Sequence, residues 1–367
     1  MSRTHRLLSA LLGGALILAA CGSDSDEDAA ADTDAEAPAG EATGDAAAEG
    51  DCAPLESMEN VTLGSSSTLS IGTSIQAQGN GYYEDENIEI KNESFASGQD
   101  VIALVGRGQL DAALGGLSAN YFSAKAQGVE VYAVGSNGRL NPDNLASGFF
   151  VRSELLDDGT VKDIADLEGL SVAFPGNYGS AAAYYSNLIL EQGGLSVTDM
   201  EQTPLSYADM PTAFENGSID AAYVGSPFAA AIEESDVGRR IGDQTVLAGE
   251  DVVAIFLGPN LLEDRPAVGC ALLRANIRAA REALAPGANE REETVQAFVE
   301  VGEFPEELVR TTPDYIYEDT LELNPDSIED MQQLFIDAGV LELDEPMAYE
   351  DVVPMEFRDQ VIASLDD

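Results

Sequence analysis

The sequence predicts an α/β protein built from two similar lobes. A stretch over residues 97–118 returns once, 109 positions later, with the same order of helix, glycine and apolar strand, and two copies of one unit indicate two similar lobes. Strand and helix patterns alternate over residues 60–134, which predicts a parallel sheet with right-handed connections. Residues 135–148 are rich in turn-forming residues, so we expect the chain to cross between the lobes there.

Both copies of the repeat begin with a Ser-x-x-Asp pattern, typical of a capping box at a helix start. A glycine then ends each helix, and Leu/Ile-Asp-Ala-Ala follows as a short buried strand. Because Pro211 would clash inside a helix capped at Ser206, the second helix is alternatively expected to start at Asp209. A chance match is the other interpretation of the repeat. The shift aligns Ser97 with Ser206, Asp100 with Asp209, Gly108 with Gly217, Leu110 with Ile219, residues 111–113 with 220–222, and Gly116 with Gly225.

The remaining elements follow from hydrophobic periodicity, because apolar alternation predicts strands and a spacing of three to four predicts helices. The predicted strands are 60–64, 88–91, 129–134, 149–152, 171–174 and 251–257, and the predicted helices are 69–78, 121–127, 163–170, 181–192 and 266–284, with mostly helical structure from there to about residue 365.

The first 20 residues are typical of a secretory signal. Arg3, His5 and Arg6 precede an apolar run from Leu7 to Ala20, which is too short to cross a bilayer as a helix. The end of this run, Leu-Ala-Ala before Cys21, resembles the lipobox of bacterial lipoproteins. That resemblance implies cleavage before Cys21, acylation of its thiol and an extracytoplasmic protein anchored to the cell membrane. An ordinary signal peptide cleaved nearby is the alternative.

Residues 22–51 contain eleven acidic residues, no basic residue and no aromatic residue, a composition that predicts a disordered tether following Cys21. We therefore expect a signal peptide over 1–20 and a lipidated tether over 21–51. The folded part is expected to divide into a first lobe over 52–148, a second lobe over 149–247, and a return to the first lobe with C-terminal helices over 248–367.

Composition excludes several function classes. The formal net charge of -50 disfavours nucleic acid as a partner. The single histidine, His5, leaves with the signal, so the mature chain has no histidine to act as a base or zinc ligand. Cys52 and Cys270 are expected to form a disulfide in an exported protein, with free thiols as the alternative. No metal site, catalytic residue or cofactor is predicted.

The predicted strand 171–174 runs into the loop Pro175-Gly-Asn-Tyr-Gly-Ser180, which precedes the predicted helix at Ala181. A glycine-containing loop before a helix can expose free N–H donors to an anion or polar group. The loop lacks the lysine of a phosphate-binding loop, and a plain strand-to-helix turn is the alternative.

Several of these motifs together resemble the extracytoplasmic substrate-binding proteins of ABC importers, in the branch that serves nitrate, aliphatic sulfonates, taurine and pyrimidine precursors of thiamine. The resemblance implies a type II periplasmic-binding-protein fold, in which two lobes joined by two crossovers close over a ligand, and it covers residues 60–285. The residues that carry it are 95–100, 108–113, 116–118, 163–169, 175–180, 209–211, 217–222, Pro227 and Phe228.

The family's cleft loops fall on hydroxyl-rich and glycine-rich positions. Many relatives have an acidic residue where this chain has Ser226, which puts an amine or pyrimidine contact there in doubt. The ligand is expected to be either a small oxyanion held at the helix starts that follow Ser97 and Gly179, or a planar polar ring stacked on Tyr178. Arg139 and Arg152 are the only nearby cations by sequence. The candidate ligand-binding residues are Ser65, Ser66, Ser67, Thr68, Ser97, Gly98, Gln99, Gly116, Leu117, Ser118, Gly176, Asn177, Tyr178, Gly179, Ser180, Gly225 and Ser226.

The resemblance implies a monomeric solute carrier that binds a small molecule and delivers it to a membrane permease, without catalysis. Two alternatives stay open. Some enzymes of menaquinone and pyrimidine biosynthesis resemble these proteins, although the lipobox opposes that interpretation. A lipoprotein sensor that presents its closed form to a receptor is the third possibility.

Overall fold

The computed structural model describes residues 52–65, 68–95 and 98–365, with backbone only for 98–100. Within these residues, ten strands form two five-stranded sheets, in the orders β2-β1-β3-β10-β4 and β7-β6-β8-β5-β9. We call the first sheet and its helices lobe 1, and the second lobe 2. The strands are β1 Glu59–Ser65, β2 Ile88–Ser94, β3 Ala112–Gly115, β4 Tyr132–Ser136, β5 Gly148–Arg152, β6 Ser171–Phe174, β7 Glu201–Pro204, β8 Ala221–Val224, β9 Gly238–Arg240 and β10 Ala254–Leu257.

Helices accompany both sheets, so the α/β class predicted from the sequence is confirmed. The helices are α1 Gly72–Gly79, α2 Tyr82–Asp85, α3 Gly98–Gly106, α4 Ala119–Ala126, α5 Ser153–Asp157, α6 Ala181–Leu190, α7 Met210–Glu215, α8 Phe228–Ser235, α9 Pro266–Ala283, α10 Glu292–Glu300, α11 Glu306–Thr311, α12 Pro325–Asp337, α13 Tyr349–Val352 and α14 Met355–Ala363, and short 3-10 segments cover Leu69–Ile71, Ile164–Leu167, Glu191–Gly193, Val197–Asp199, Tyr207–Asp209, Gln244–Leu247 and Ala288–Glu290, with a π turn over Asn260–Asp264.

The strands β1 to β4, predicted over residues 60–134, run parallel to one another as expected, but each complete sheet is mixed. Its antiparallel strand is the one that the chain forms directly after crossing from the other lobe. Strand β1 is parallel to β2 and β3, but β10 runs antiparallel between β3 and β4. In lobe 2, β6 is parallel to β7 and β8, whereas β5 is antiparallel to β8 and β9. A chain that crosses between lobes enters a sheet at the edge where the parallel strands end, so it must run in the opposite direction.

The sequence repeat corresponds to one structural unit in each lobe, a helix, a left-handed glycine and a buried strand. Gly108 has φ +64° and Gly217 φ +70°, a conformation that glycine adopts without strain. The second helix begins at Met210 with Pro211 in its first turn, where a proline is tolerated. Ser206 therefore caps no α-helix, and its Oγ donates to Asp209 Oδ2 at 2.6 Å. The corresponding Ser97 lies outside the described residues.

Each repeat unit contains an aspartate, at the equivalent position of the repeat, that bonds its strand to the neighbouring strand. Asp111 Oδ2 accepts hydrogen bonds from Thr62 N and Thr62 Oγ1, both at 2.8 Å. Asp220 Oδ2 accepts from Ser171 N at 3.1 Å and Ser171 Oγ at 2.8 Å. Although burial acts to raise it, the pKa of each aspartate is lowered by these bonds and by a nearby arginine. Thr62 and Ser171 are again 109 residues apart, so the repeat extends into β1 and β6.

The two chain segments that connect the lobes pair with each other. Leu140 N donates to Glu250 O at 3.0 Å, and Gly249 N donates back to Leu140 O at 2.9 Å. Val252 N donates to Gly138 O at 3.0 Å in the same ribbon. Arg139 fixes the ribbon from the side, because its Nε donates to Asp251 Oδ1 at 3.0 Å. We call this pairing of residues 137–140 with 249–253 the hinge ribbon.

The C-terminal region packs mainly on lobe 1, where α9 and α10 contact α1 and α14 contacts α9. Helix α12 contacts both α4 of lobe 1 and α6 of lobe 2. Cys52 is joined by a disulfide to Cys270 on α9, with their Cα atoms 5.2 Å apart. No helix in the described ranges combines the length and apolar character needed to cross a membrane. The predicted signal, Cys21 and the tether lie outside those ranges.

Candidate functional site

A cavity of about 350 Å³ lies between the two lobes, within the range of small-molecule sites. Lobe 1, lobe 2, the hinge ribbon and the C-terminal segment all contribute to its wall. It is lined by Thr68, Ser70, Phe95, Gly115, Gly116, Ser147, Pro175, Ser180, Ala181, Ala182, Tyr185, Ser206, Tyr207, Ala208, Tyr223, Gly225, Ser226, Phe228, Val252, Val253 and Tyr315.

The cavity lies where the strands of both sheets meet the cleft. Strand β3 ends at Gly115 and β8 ends just before Gly225, while Val253 and Ser147 directly precede β10 and β5. In α/β folds, ligands bind at the carboxyl ends of the parallel strands. The antiparallel strands β5 and β10 therefore bring their first residues to the same place.

The lobes contact each other around this cavity. Thr68 Oγ1 in lobe 1 donates to Ser226 O in lobe 2 at 3.0 Å, and Ala119 N donates to Gly179 O at 2.8 Å. A Cβ added to Gly116 would lie 2.8 Å from Cβ of Ala181, the first residue of α6. Only glycine allows so close an approach, so the described structure is a closed arrangement.

Five of the sequence-predicted positions line the cavity: Thr68, Gly116, Ser180, Gly225 and Ser226. Ser180 also accepts a hydrogen bond from Ala183 N at 3.2 Å and caps α6. The loop before α6 was predicted to aim its N–H donors at a ligand, and Ala181 and Ala182 at the start of that helix do line the cavity.

Several predicted residues lie elsewhere for structural reasons. Leu117 is buried in the core. Ser118 is fully buried and caps α4, where its Oγ accepts from Tyr121 N at 3.3 Å. Ser65 ends β1, and its carbonyl accepts a hydrogen bond from Phe95 N at 2.9 Å. Ser118 therefore serves as a helix cap and is not among the residues that line the cavity.

The structure places Tyr178 outside the cavity lining, contrary to the expected stacking role. Its Oη donates to Met200 O at 3.0 Å, and its ring contacts Phe174. Gly176 is fixed in a positive-φ turn at +85°, while Asn177 Oδ1 accepts from Gly179 N at 2.8 Å. This loop therefore shapes its own turn and delivers Ser180 and α6 to the cavity.

The remaining predicted positions cannot be placed at the level of side chains. Ser66, Ser67 and Ser97 lie outside the described residues, and Gly98 and Gln99 begin α3 as backbone only.

Sequence reasoning missed the four tyrosines of the described cavity wall, which are Tyr185, whose Oη donates to Asp251 O, and Tyr207, Tyr223 and Tyr315. Tyr223 lies within the apolar repeat strand β8, where a polar-tipped side chain two residues before the cleft glycine was an available signal. Tyr315 comes from the C-terminal segment, where no sequence motif pointed to the cavity. Burial raises the pKa of Tyr207, Tyr223 and Tyr315, so their hydroxyls are neutral at physiological pH and can donate hydrogen bonds.

Three hydroxyls of the cavity wall have no hydrogen-bond partner within the described part of the chain: Tyr223 Oη, Ser226 Oγ and Tyr315 Oη. Tyr223 and Ser226 are each 1% exposed and Tyr315 is 7% exposed. An unsatisfied buried hydroxyl destabilises a protein by about 1–3 kcal/mol, and such groups are often kept for a functional reason. They mark this wall of the cavity as a polar recognition surface.

No residue in the described lining is charged or a histidine. The two cations expected near the cleft are engaged elsewhere, Arg139 with Asp251 and Glu318 and Arg152 with Asp220 and Glu154. Arg240 is the cation behind the wall, donating to Ser147 O at 2.7 Å and pairing with Glu233 at 2.6 Å. No cluster of potential metal ligands occurs among the residues described.

The chain is similar to known proteins in sequence and in fold. The family model described as NMT1/THI5 like matches residues 70–256, which is just over half of the chain and contains most of the cavity wall. The chain belongs to the NMT1/THI5-like family. An Escherichia coli (strain K12) protein named for binding aliphatic sulfonates is 36% identical over 75 residues. That alignment covers 20% of this chain and 23% of the relative.

Solved structures show which fold this NMT1/THI5-like chain adopts. The alkanesulfonate-binding protein SsuA of Xanthomonas axonopodis pv. citri, bound to MOPS, aligns with a TM-score of 0.62 at 20% identity, over 80% of this chain and 97% of that one. The nitrate-binding protein NrtA of Synechocystis PCC 6803 aligns with a TM-score of 0.63 at 14% identity, over 84% and 89%. The expected type II periplasmic-binding-protein fold is therefore confirmed.

The same fold also carries catalysis in another protein. The desulfurization enzyme DSZB aligns with a TM-score of 0.55 at 16% identity, over 83% of this chain and 99% of that one. At such identities the similarity concerns the fold, so the function of this family member has to be argued from its own cavity.

Beside the cavity, the hinge ribbon of this NMT1/THI5-like chain contains a buried carboxyl group. Burial raises the pKa of Glu250 to about 7, against the lowering effect of the hydroxyls of Ser327 and Tyr184, and the adjacent carboxylates of Asp251 and Asp330 raise it further. Burial also raises the pKa of Asp251. Glu250 therefore changes charge near neutral pH at the junction of α6, α12 and the ribbon.

Proposed function

We propose that this chain is a solute-binding lipoprotein that captures a small polar molecule and delivers it to the membrane permease of an ABC importer. The observation that carries the proposal is the cavity enclosed between two lobes, with Thr68 of one lobe bonded to Ser226 of the other. Closure of two lobes around a solute is a hinge motion, and the hinge ribbon connects the lobes where such a motion would take place. We propose that the carrier acts as a monomer.

The ligand is proposed as a sulfonate-like, taurine-like or nitrate-like solute, or a pyrimidine-like one. Relatives named for sulfonates and for nitrate support the first group. The tyrosines of the wall support a planar solute, because aromatic faces and hydroxyl tips together recognise polar rings.

The alternative of an enzyme on the same fold has the similarity to DSZB in its favour. Against it, the described cavity wall contains hydroxyls but no carboxylate, amine, imidazole or thiol to activate a nucleophile. A serine or tyrosine hydroxyl at its ordinary pKa is a weak nucleophile without an adjacent base.

A thermal-shift panel of sulfonates, taurine, nitrate, pyrimidines and amines on the soluble form tests the proposal. A true ligand at 100 times its Kd should raise the free energy of unfolding by about 2.7 kcal/mol. The bound compound should then be recovered unchanged after prolonged incubation. Stoichiometric conversion of that compound would instead support the enzyme, and the absence of a stabilising solute would contradict the carrier.

We further propose that Cys21 carries a lipid and that residues 22–51 connect it to a folded region beginning at Cys52. The lobe boundaries are proposed at residues 148 and 247, with the chain returning to lobe 1 afterwards. Replacing Cys21 by Ala should release the protein from membranes while ligand affinity stays unchanged, because the anchor is remote from the cavity in the chain. Membrane retention of Cys21→Ala would refute the lipid anchor.

A further inference from the structure

We propose that the solute is an uncharged molecule with a flat apolar body and at least one hydrogen-bond acceptor, held by the hydroxyls of Tyr223, Ser226 and Tyr315. This inference rests on the proposed solute-binding function and narrows the ligand of the same cavity. It separates this chain from a carrier of sulfonate or nitrate anions.

The three hydroxyls form one group on the wall. Tyr223 lies on β8, Ser226 lies in the loop that follows it, and Tyr315 enters from the C-terminal segment. The hydroxyls of Ser147 and Ser226 lie close enough to Tyr315 to oppose the rise that burial causes in its pKa. The Ser147 hydroxyl likewise approaches Tyr223, but none of the three hydroxyls makes a hydrogen bond of normal length and angle within the described protein. A ligand atom that accepts hydrogen bonds would satisfy them together.

The charges around the cavity favour an uncharged ligand. A desolvated anion needs a cation or several strong donors to offset its burial. Arg240 lies behind the wall, where its charge opposes the rise that burial causes in the pKa of Tyr223, but it is paired with Glu233 and donates to the carbonyls of Ser147 and Leu145. The whole chain carries a formal charge of -50, so its long-range field disfavours anions.

An anion would gain from a helix dipole at the start of α8, where Phe228 lines the cavity, and at the start of α6. The start of α6 is crowded in the closed arrangement, because Gly116 from lobe 1 lies against Ala181 with no room for a Cβ between them. Ser180 Oγ already accepts from Ala183 N. The rest of the wall presents rings and aliphatic groups, from Phe95, Tyr207, Phe228, Val252 and Val253, which suit a flat apolar body.

The test uses matched pairs of probes that differ only in charge: benzamide against benzoate, and benzenesulfonamide against benzenesulfonate. Titration calorimetry on the soluble chain should show the uncharged member of each pair binding at least about tenfold more tightly. Equal or tighter binding of the anion would overturn the inference and leave the solute carrier intact. Failure of both members of both pairs would also overturn it, and ethanesulfonate, taurine and nitrate in the same series then decide whether the cavity is a solute site.

Variants assign the effect to the hydroxyls. Tyr223→Phe and Tyr315→Phe should each weaken the uncharged probe by about tenfold, since each removes one donor and keeps the ring. Tyr184→Phe is the matched control, because Tyr184 is also a buried tyrosine but does not line the cavity. A loss in Tyr184→Phe equal to that in the two cavity variants would refute the assignment.

Discussion

The hydroxyl of Thr68 donates a hydrogen bond to the carbonyl oxygen of Ser226, 3.0 Å away, and thereby joins the two lobes beside the cavity. Both residues are buried, with Thr68 7% and Ser226 1% exposed. A carbonyl that loses its partner in such a place carries a desolvation penalty. The bond is therefore specific to the closed arrangement and contributes to its stability.

Replacing Thr68 by Val should weaken ligand binding by about tenfold, because the closed form loses this bond while an open form does not. Titration calorimetry measures the affinity, and small-angle scattering measures whether ligand still contracts the protein. Thr68→Ser keeps the hydroxyl and should bind normally. Thr311→Val is a second control, since Thr311 bonds only to carbonyls of its own helix. Unchanged affinity in Thr68→Val would contradict a role in closure.

Gly116→Ala should also weaken binding, by about tenfold or more, because the new methyl group would lie 2.8 Å from Cβ of Ala181 and so hold the lobes apart. The melting temperature without ligand should change little, since opening relieves the clash.

A double variant tests this steric origin directly. Adding Ala181→Gly to Gly116→Ala removes the opposing methyl group, so affinity should recover to within about threefold of the original. If the double variant binds as poorly as Gly116→Ala, the defect arises from the backbone at residue 116 and not from contact between the lobes.

Glu250 should make stability depend on pH. Its pKa in the folded protein is raised from 4.5 to about 7, so between these values the folded chain holds a proton that the unfolded chain has released. The free energy of unfolding therefore decreases as pH rises through this window and levels off above it. Relative to Glu250→Gln, which stays neutral, the original protein should lose about 2 to 3 kcal/mol.

Urea unfolding at pH 5 to 8 measures this difference. Glu329→Gln is the control, because Glu329 is an exposed carboxyl on α12 and its removal should leave the pH slope unchanged. Parallel slopes for the original protein and Glu250→Gln would contradict the assignment of the titration to Glu250.

Removing the disulfide between Cys52 and Cys270 should lower the free energy of unfolding by about 2–5 kcal/mol. The disulfide links residues that are 218 positions apart in the sequence and so restricts the unfolded chain. Cys52→Ser, Cys270→Ser and the double variant should be equally destabilised, since each lacks the same bond. Ligand affinity should be retained, because neither cysteine lines the cavity. Two alkylated thiols in the exported protein under non-reducing conditions would contradict the linkage.

The sequence predicted most strands because they are apolar or alternate apolar with polar residues, and it missed β7 and β9, which are short and polar. It could not predict that β10 runs antiparallel between β3 and β4. An apolar run specifies burial in a sheet, but its direction depends on where the chain enters, which here follows from the crossing between lobes. The prediction of two lobes from the repeat was correct because Gly108 and Gly217 perform the same turn.

The candidate site could be located only at the level of loops. A serine beside a helix start serves equally well as a cap or as a ligand contact, and Ser118 is a cap alone whereas Ser180 is a cap at the cavity wall. Tyr178 was expected in the cleft because it lies in the right loop, yet its hydroxyl bonds to Met200. Tyr315 reaches the cavity from 88 residues beyond the second copy of the repeat, which ends at residue 227, a relationship that only the tertiary structure defines.

The paired crossings also decide what a break in the backbone would do. The exposed turn at residues 142–144 lies between the hinge ribbon and Leu145, whose carbonyl accepts a hydrogen bond from Arg240. Peptide cleavage in this turn would leave residues 137–140 bonded to the second crossing and residues 145–147 bonded to lobe 2. The two fragments would remain associated, and because the disulfide between Cys52 and Cys270 links them they would separate only on denaturation together with reduction. The continuity of this crossing is therefore dispensable for holding the molecule together.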